Sequence, residues 1–260
     1  MQQAQMGSGV DGGVFWLVGA SSGIGRALAL RLAAEGWQVA VTARRTEALE
    51  ALAGEAAGPG RVVPFPGDVT DAAAMAELAA AVEAHLGPMD RVLFNQGDYE
   101  PMPLEAFDPA LFERLMRVNY LGMVNGLAAV MPAMIRRGRG EILLTASLAG
   151  YRGLPRAAPY AASKAAVISL AESLQPELAQ KGVRLRVINP GFVRTPLTDK
   201  NRFSMPFLME TDEAVEALLR GLKGRGFEIR FPRPFALIMQ GLRLLPYGVF
   251  LRITRRMIKA

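Results

Sequence analysis

From Val14 onward the chain alternates short apolar runs with amphipathic stretches, and this rhythm limits its folds more than any other feature. Strands are expected at Val14–Val18, Gln38–Ala43, Arg61–Phe65, Arg91–Asn95, Gly140–Ala146 and Arg184–Ile188. Between them, helical patterns run over Arg26–Glu35, to about Ala53, over Asp71–His85, over Phe107–Met134 with a bend near Pro132, and over Tyr160–Gln180. Short apolar strands separated by helices pair in parallel, because a crossover is what joins parallel neighbours. The expected fold class is therefore α/β, a doubly wound parallel sheet with helices on both faces. No internal repeat or second domain interrupts the rhythm. After Pro190-Gly191 it fails: 192–210 reads as a loop or short helices over a site, 211–222 as a helix, and Phe227–Phe231 as a last strand.

Composition removes several chemistries. The 260 residues suffice for a full core, and 51% hydrophobic content with mixed charge does not suit a disordered chain. Without Cys there is no disulfide, thiol nucleophile or zinc-thiolate site. One His excludes multi-His metal sites, and no metal site is expected. That residue, His85, sits before Gly87 in the last turn of a helix, where it reads as a dipole-complementing cap rather than a catalyst. Residues 1–13 have little to pack and read as a disordered leader, without the pattern of a signal peptide. No run of about 18 uninterrupted apolar residues suggests a spanning helix.

The first βα turn reads Gly19-Ala20-Ser21-Ser22-Gly23-Ile24-Gly25. Glycines here let the backbone turn sharply and approach a pyrophosphate at the N-terminus of the next helix. At the end of the second strand, a carboxylate would bind an NAD ribose, but Arg44 and Arg45 stand there instead. Two guanidiniums suit a 2′-phosphate, so NADP(H) is favoured over NAD(H); a solvated basic loop is the alternative. Tyr160 and Lys164 are four apart on a helix and share a face. A nearby cation lowers a phenol pKa from about 10 and makes Tyr a usable acid/base. Alone, that spacing is common on helix surfaces and proves little.

Taken in order, Gly19, Gly23 and Gly25, then Asn95-Gln96-Gly97, Asn119, Ser147, Tyr160, Lys164 and Pro190-Gly191 resemble the classical short-chain dehydrogenase/reductases. The resemblance covers about 14–195 and implies a Rossmann-type domain. It also implies that Ser147 hydrogen-bonds the substrate oxygen, that Tyr160 is the acid/base, and that Lys164 binds the nicotinamide ribose and lowers the Tyr pKa. By the same resemblance Asn119 holds a water of the proton relay. Cofactor contacts are implied for Gly19, Ser21, Ser22, Gly23, Ile24, Gly25, Asn95, Gly97, Asp68 and Val69. On the nicotinamide side they are implied for Pro190, Gly191 and Thr195, with Tyr160 and Lys164. Val18 stands where the family usually has Thr, and Phe94 and Gln96 where it often has Asn and Ala; the effect of Gln96 and Asp98 is open.

The resulting expectation is an NADP(H)-dependent oxidoreductase acting on a small-molecule carbonyl or alcohol. A catalytically silent nucleotide-binding regulator on the same fold is the alternative, and a nucleic-acid partner is not expected. Phe192, Phe203, Met205, Pro206, Phe207, Leu208 and Met209, within a substrate-covering segment 192–222, suggest an apolar wall. The net charge of +6 has one source: ten basic residues lie beyond 219, against Glu228 alone. The domain is expected to span 14–231, followed by an apolar, basic extension over 232–260. That extension suits an anionic membrane surface or a lipid-like substrate, and equally a subunit interface or a cover over the sheet. A homodimer or homotetramer is expected, in the cytoplasm, with attachment at the inner face of a membrane left open.

Overall fold

The computed structural model describes residues 12–201 and 203–258; most of the expected leader, with Arg202, Lys259 and Ala260, lies outside the described residues. Among the described residues, seven parallel strands form one sheet: β1 (Val14–Val18), β2 (Gln38–Thr42), β3 (Arg61–Pro64), β4 (Met89–Phe94), β5 (Gly140–Thr145), β6 (Val183–Pro190) and β7 (Glu228–Phe231). Their order is β3-β2-β1-β4-β5-β6-β7. Strand order reverses between β1 and β4, and a crevice opens outside the carboxyl ends there.

The strands read as continuous apolar runs because both faces are covered. In β1 every residue is buried. Phe15 and Leu17 point into the core beneath α1 (Gly23–Ala34), α2 (Thr46–Glu55) and α7 (Thr211–Lys223). Trp16 and Val18 point into the opposite core, beneath α3 (Ala72–Leu86), α5 (Gly122–Arg137) and α6 (Ala158–Gln180). Helices thus cover both faces of a single Rossmann-type domain.

Helix boundaries differ from expectation where caps decide them. α1 begins at Gly23 rather than Arg26, which puts its first turn inside the glycine loop. The long helix expected over Phe107–Met134 starts at α4 (Pro109–Met116), because Asp108 caps it by accepting from the Ala110 N–H at 2.9 Å. It continues through a π turn at Arg117–Leu121 into α5, and passes Pro132 before ending at Gly138 (φ +65°). By length and composition Pro109–Arg137 could cross a bilayer, with mean hydropathy 1.4. Leu111, Leu115, Leu127, Val130 and Met134 are nevertheless buried against the rest of the protein, as in a core helix.

The expected cap role of His85 fits its place in the last turn of α3, with its ring edge-on to Phe65. Beyond β7 the chain forms a helical hairpin, α8 (Arg233–Leu244) and α9 (Tyr247–Ile258), divided at Pro246.

Candidate active site

The carboxyl ends of the strands open into one cleft of about 1240 Å³. At one end is the glycine loop. Gly19 takes φ +90° and Gly23 φ +54°, conformations that L side chains rarely adopt. A Cβ on Gly19 would meet the Gln96 backbone N at 2.5 Å, so the loop is drawn tightly onto the end of β4. Asn95 locks this arrangement: its amide donates to Gly19 O at 3.3 Å and accepts from the Thr145 hydroxyl at 3.1 Å. With Val18 in place of Thr, the β1 end is held through its backbone, where Val18 O accepts from the Asn95 N–H at 2.8 Å.

Ser22 precedes α1 without a side-chain cap bond, and no acid lies in the first turn. That leaves a helix N-terminus suited to an anion. Arg44 and Arg45 line the same end of the cleft, and Arg45 donates to Ser21 Oγ at 3.0 Å. Among the described residues, no carboxylate pairs with either guanidinium. Asp68 Oδ1 is taken by the Thr70 N–H and hydroxyl, both at 2.9 Å. Val69 packs beneath it against Gly122. These residues fit a dinucleotide: glycines admit close backbone approach, and cationic groups await phosphate.

At the other end, Ser147, Tyr160 and Lys164 converge, joined by Pro190, Gly191 and Thr195. Ser147 lies just beyond β5, and its hydroxyl accepts from the Ala149 N–H at 3.1 Å and donates to Pro190 O at 3.4 Å. Lys164 Nζ lies 5.8 Å from the Tyr160 ring centre and donates to Thr145 O at 2.8 Å. Burial of this cation without a carboxylate pulls its pKa down to about 7.

The phenol does not show the lowered pKa expected from its neighbour. Burial pushes Tyr160 up to about 12, opposed by the Ser147 hydroxyl and reinforced by Tyr99. The physical reason is that Lys164 is itself disfavoured as a cation and turned toward β5.

Two expected site residues, one cofactor contact and one member of the proton relay, do not line the cleft. Gly25 is buried where a Cβ would strike Gly19 O at 2.2 Å, so it serves helix–loop packing. Asn119 is fully buried in the π turn, and its amide is committed to protein partners. It accepts from the Asp98 N–H at 2.7 Å and donates to Asp98 O and Ser163 Oγ, both at 2.9 Å. Its side chain thereby shapes the loop after β4. Asp98 extends that brace through ion pairs with Arg114 (3.3 Å) and Lys200 (3.6 Å).

Tyr99 has no counterpart in the sequence reading. Its ring meets Tyr160 edge-on at 5.0 Å, and its hydroxyl donates to Asn201 at 2.7 Å. Of the expected apolar wall, Phe192, Phe203, Pro206 and Phe207 line the cleft. Met209 instead packs under α7, Met205 accepts from the Asn201 amide at 3.2 Å, and Leu208 lies away from the lining. The wall is completed by Phe235, Ile238 and Leu242 of α8 and by Met257 and Ile258 of α9.

Comparison with known proteins agrees with this geometry. Residues 14–205 match the family model for short chain dehydrogenases. An uncharacterized oxidoreductase of Myxococcus xanthus is 40% identical over 93% of this chain and 96% of its own. A 3-oxoacyl-(acyl-carrier-protein) reductase of Thermotoga maritima is 35% identical over 74% and 78%. A short chain dehydrogenase of Burkholderia cenocepacia, solved with NADP, superimposes with TM-score 0.81 at 31% identity, over 94% of this chain and 98% of that one. The fold is shared also by an NAD complex from Burkholderia phymatum, with TM-score 0.80 at 24% identity over 89% and 92%. The chain belongs to the classical short-chain dehydrogenase/reductases, a family of nicotinamide-dependent oxidoreductases.

Proposed function

We propose that the chain is an NADP(H)-dependent oxidoreductase that interconverts an apolar ketone and its secondary alcohol. The observation that carries this reading is the placement of Ser147, Tyr160 and Lys164 at one end of a cleft whose other end holds the glycine loop with Arg44 and Arg45. When bound, the nicotinamide supplies or accepts the hydride. Gly19, Ser21, Ser22, Gly23 and Ile24 would hold the pyrophosphate, Arg44 and Arg45 the 2′-phosphate, and Asp68 with Val69 the adenine side. Pro190, Gly191, Thr195 and Lys164 would hold the nicotinamide half.

The chain's own chemistry is positioning and proton exchange. Ser147 orients the carbonyl oxygen, and Tyr160 gives that oxygen its proton during reduction. A phenol held near 12 is protonated at neutral pH, the form that reduction requires. In its protonated form Lys164 would favour the phenolate and so ease loss of the Tyr160 proton. Phe192, Phe203, Phe207 and the α8–α9 side chains favour an apolar substrate body. A cofactor sensor without chemistry would have no use for Ser147, Tyr160 and Lys164 gathered at one end of the cleft. Assembly as a homodimer or homotetramer, in the cytoplasm, completes the reading.

The test is NADPH consumption over ketones of graded chain length, with Tyr160→Phe as control. Turnover should rise with apolar chain length and fall at least about a thousandfold in the variant, whose NADPH affinity stays within a fewfold. Substantial activity in Tyr160→Phe would overturn the acid/base assignment.

A further inference from the structure

The α8–α9 hairpin leaves apolar surface open that a cover over the sheet would bury. Among the described residues, nine of the fifteen exposed large apolar side chains lie between Leu237 and Ile258. Leu244 is 84% exposed, Tyr247 76% and Leu237 62%. α9 touches the rest of the protein along a narrow edge, with only Phe250 and Thr254 buried. Successive residues of a helix turn by 100°, so the exposed Val249, Ile253 and Met257 fall on one flank of that edge. Arg252 and Arg256 lie directly beside this flank, and Arg255 lies beside the other.

Charge selects what meets this surface. Among the described residues, no carboxylate pairs with Arg252, Arg255 or Arg256. Glu228 is the lone acid beyond residue 219. A second copy of the chain, docked hairpin to hairpin, would set these cations against their own images with no acid to offset them. An anionic lipid surface offers both complements, headgroups for the arginines and acyl chains for the apolar flanks.

The exposed patch is also continuous with the cleft. Ile238 and Leu242 of α8 and Met257 and Ile258 of α9 line the cleft, while Leu237 and Leu244 stand outside it on the same hairpin. Phe203 and Phe207 bring further exposed apolar area to the rim. The latch holding α9 in place is Arg152, whose guanidinium lies 4.3 Å from the Phe250 ring centre and 4.7 Å from that of Tyr247. It also donates to Arg243 O at the end of α8, at 2.7 Å.

We propose that the α8–α9 hairpin docks the protein on an anionic lipid surface with the mouth of the cleft at that surface, so that an apolar ketone enters from the lipid. The partner is a lipid bilayer; the route of the ketone rests on the reductase reading above.

The full chain is to be sedimented with vesicles of phosphatidylcholine alone and of phosphatidylcholine with 30% phosphatidylglycerol, at low and high salt. A cation near an anionic surface contributes about fivefold to partition, so the triple variant Arg252→Glu, Arg255→Glu, Arg256→Glu should bind anionic vesicles at least about a hundredfold more weakly. Wild type should bind anionic vesicles well above neutral ones, and less at high salt. Equal partition to both vesicle types, no binding by the folded wild type, or unchanged binding by the triple variant would overturn the docking. A dimer split by the triple variant without loss of vesicle binding would overturn it too, assigning the arginines to a subunit contact. NADPH-dependent reduction of a short, water-soluble ketone by the same preparations separates the two readings. Retained reduction without vesicle binding leaves the reductase standing and removes the docking, whereas vesicle binding without reduction does the reverse.

Discussion

Two cationic centres in the cleft answer to different physics. Arg44 and Arg45 are exposed, so two guanidiniums cost little to hold there. Replacing both with Ala should raise the Kd for NADPH at least about tenfold while moving that for NADH less than about twofold, by fluorescence titration. Equal losses for both cofactors would remove the 2′-phosphate assignment. Lys164 is the opposite case, 2% exposed and with its pKa pulled from 10.5 to about 7. Between those two values the unfolded chain holds a proton that the folded protein has lost, so stability rises with pH across the window. Below about 7 both states are charged and the full cost of burying the cation remains. Lys164→Met removes that cost. Its gain in stability over wild type should be largest at pH 7 and below, and should shrink by roughly 2–3 kcal/mol by pH 9 in urea unfolding curves. A difference that stays flat between pH 6 and 9 would show that Lys164 is not held neutral. The same variant should lose turnover at every pH, since a ligand-binding cation is gone.

At the scale of elements, the strands and most helices were legible because their cause is local. Both-face burial produces continuous apolar runs, and β1, β2 and β5 stand where such runs occur. The π turn was not legible, because a shift in backbone hydrogen bonding leaves no mark in apolar spacing. It sets Asn119 inward, where its side chain braces Asp98 and Ser163. Tyr99 escaped for a different reason: its partner Asn201 is 102 residues away, and topology alone brings them together. Ser147, Tyr160 and Lys164 were readable as a set from order and spacing, whereas their electrostatics needed burial that no motif encodes. The packing of α5 on β4 gives a test at this scale. Gly126 faces Phe94 so closely that a Cβ would lie 2.1 Å from the ring. The bulky Phe94 at the end of β4 and the glycine on α5 therefore fill one space together. Gly126→Ala should destabilise the protein by about 1–3 kcal/mol despite the better helix propensity of Ala. Adding Phe94→Leu should recover part of the loss in thermal unfolding, and no coupling between the two sites would refute the shared-space account.

Across the whole molecule, parallel strands divide labour between their two ends. The carboxyl ends carry the cleft, while near the amino ends Glu141 of β5 is buried among three guanidiniums. Arg91 of β4 lies 2.9 Å from its carboxylate, Arg186 of β6 3.3 Å and Arg184 3.4 Å. Arg186, itself 2% exposed, also donates to Gly226 O at 2.6 Å and to Gly221 O at 2.9 Å. One carboxylate thus ties β4, β5 and β6 to the end of α7 and the turn into β7. Glu141→Gln would leave Arg186 buried among like charges, at a cost of about 3–5 kcal/mol. Replacing Arg186 with Met in that background removes the stranded cation and should return at least about 1 kcal/mol, though its two carbonyl partners then go unpaired. Neither change touches the cleft. Folded Glu141→Gln protein should therefore keep kcat and KM within about twofold of wild type at a temperature well below its lowered Tm. Loss of turnover in step with stability would mean that the two ends of the sheet are coupled. Retained turnover would instead place the catalytic geometry in the loops that the sheet supports, held locally by the Asn95 and Asn119 braces.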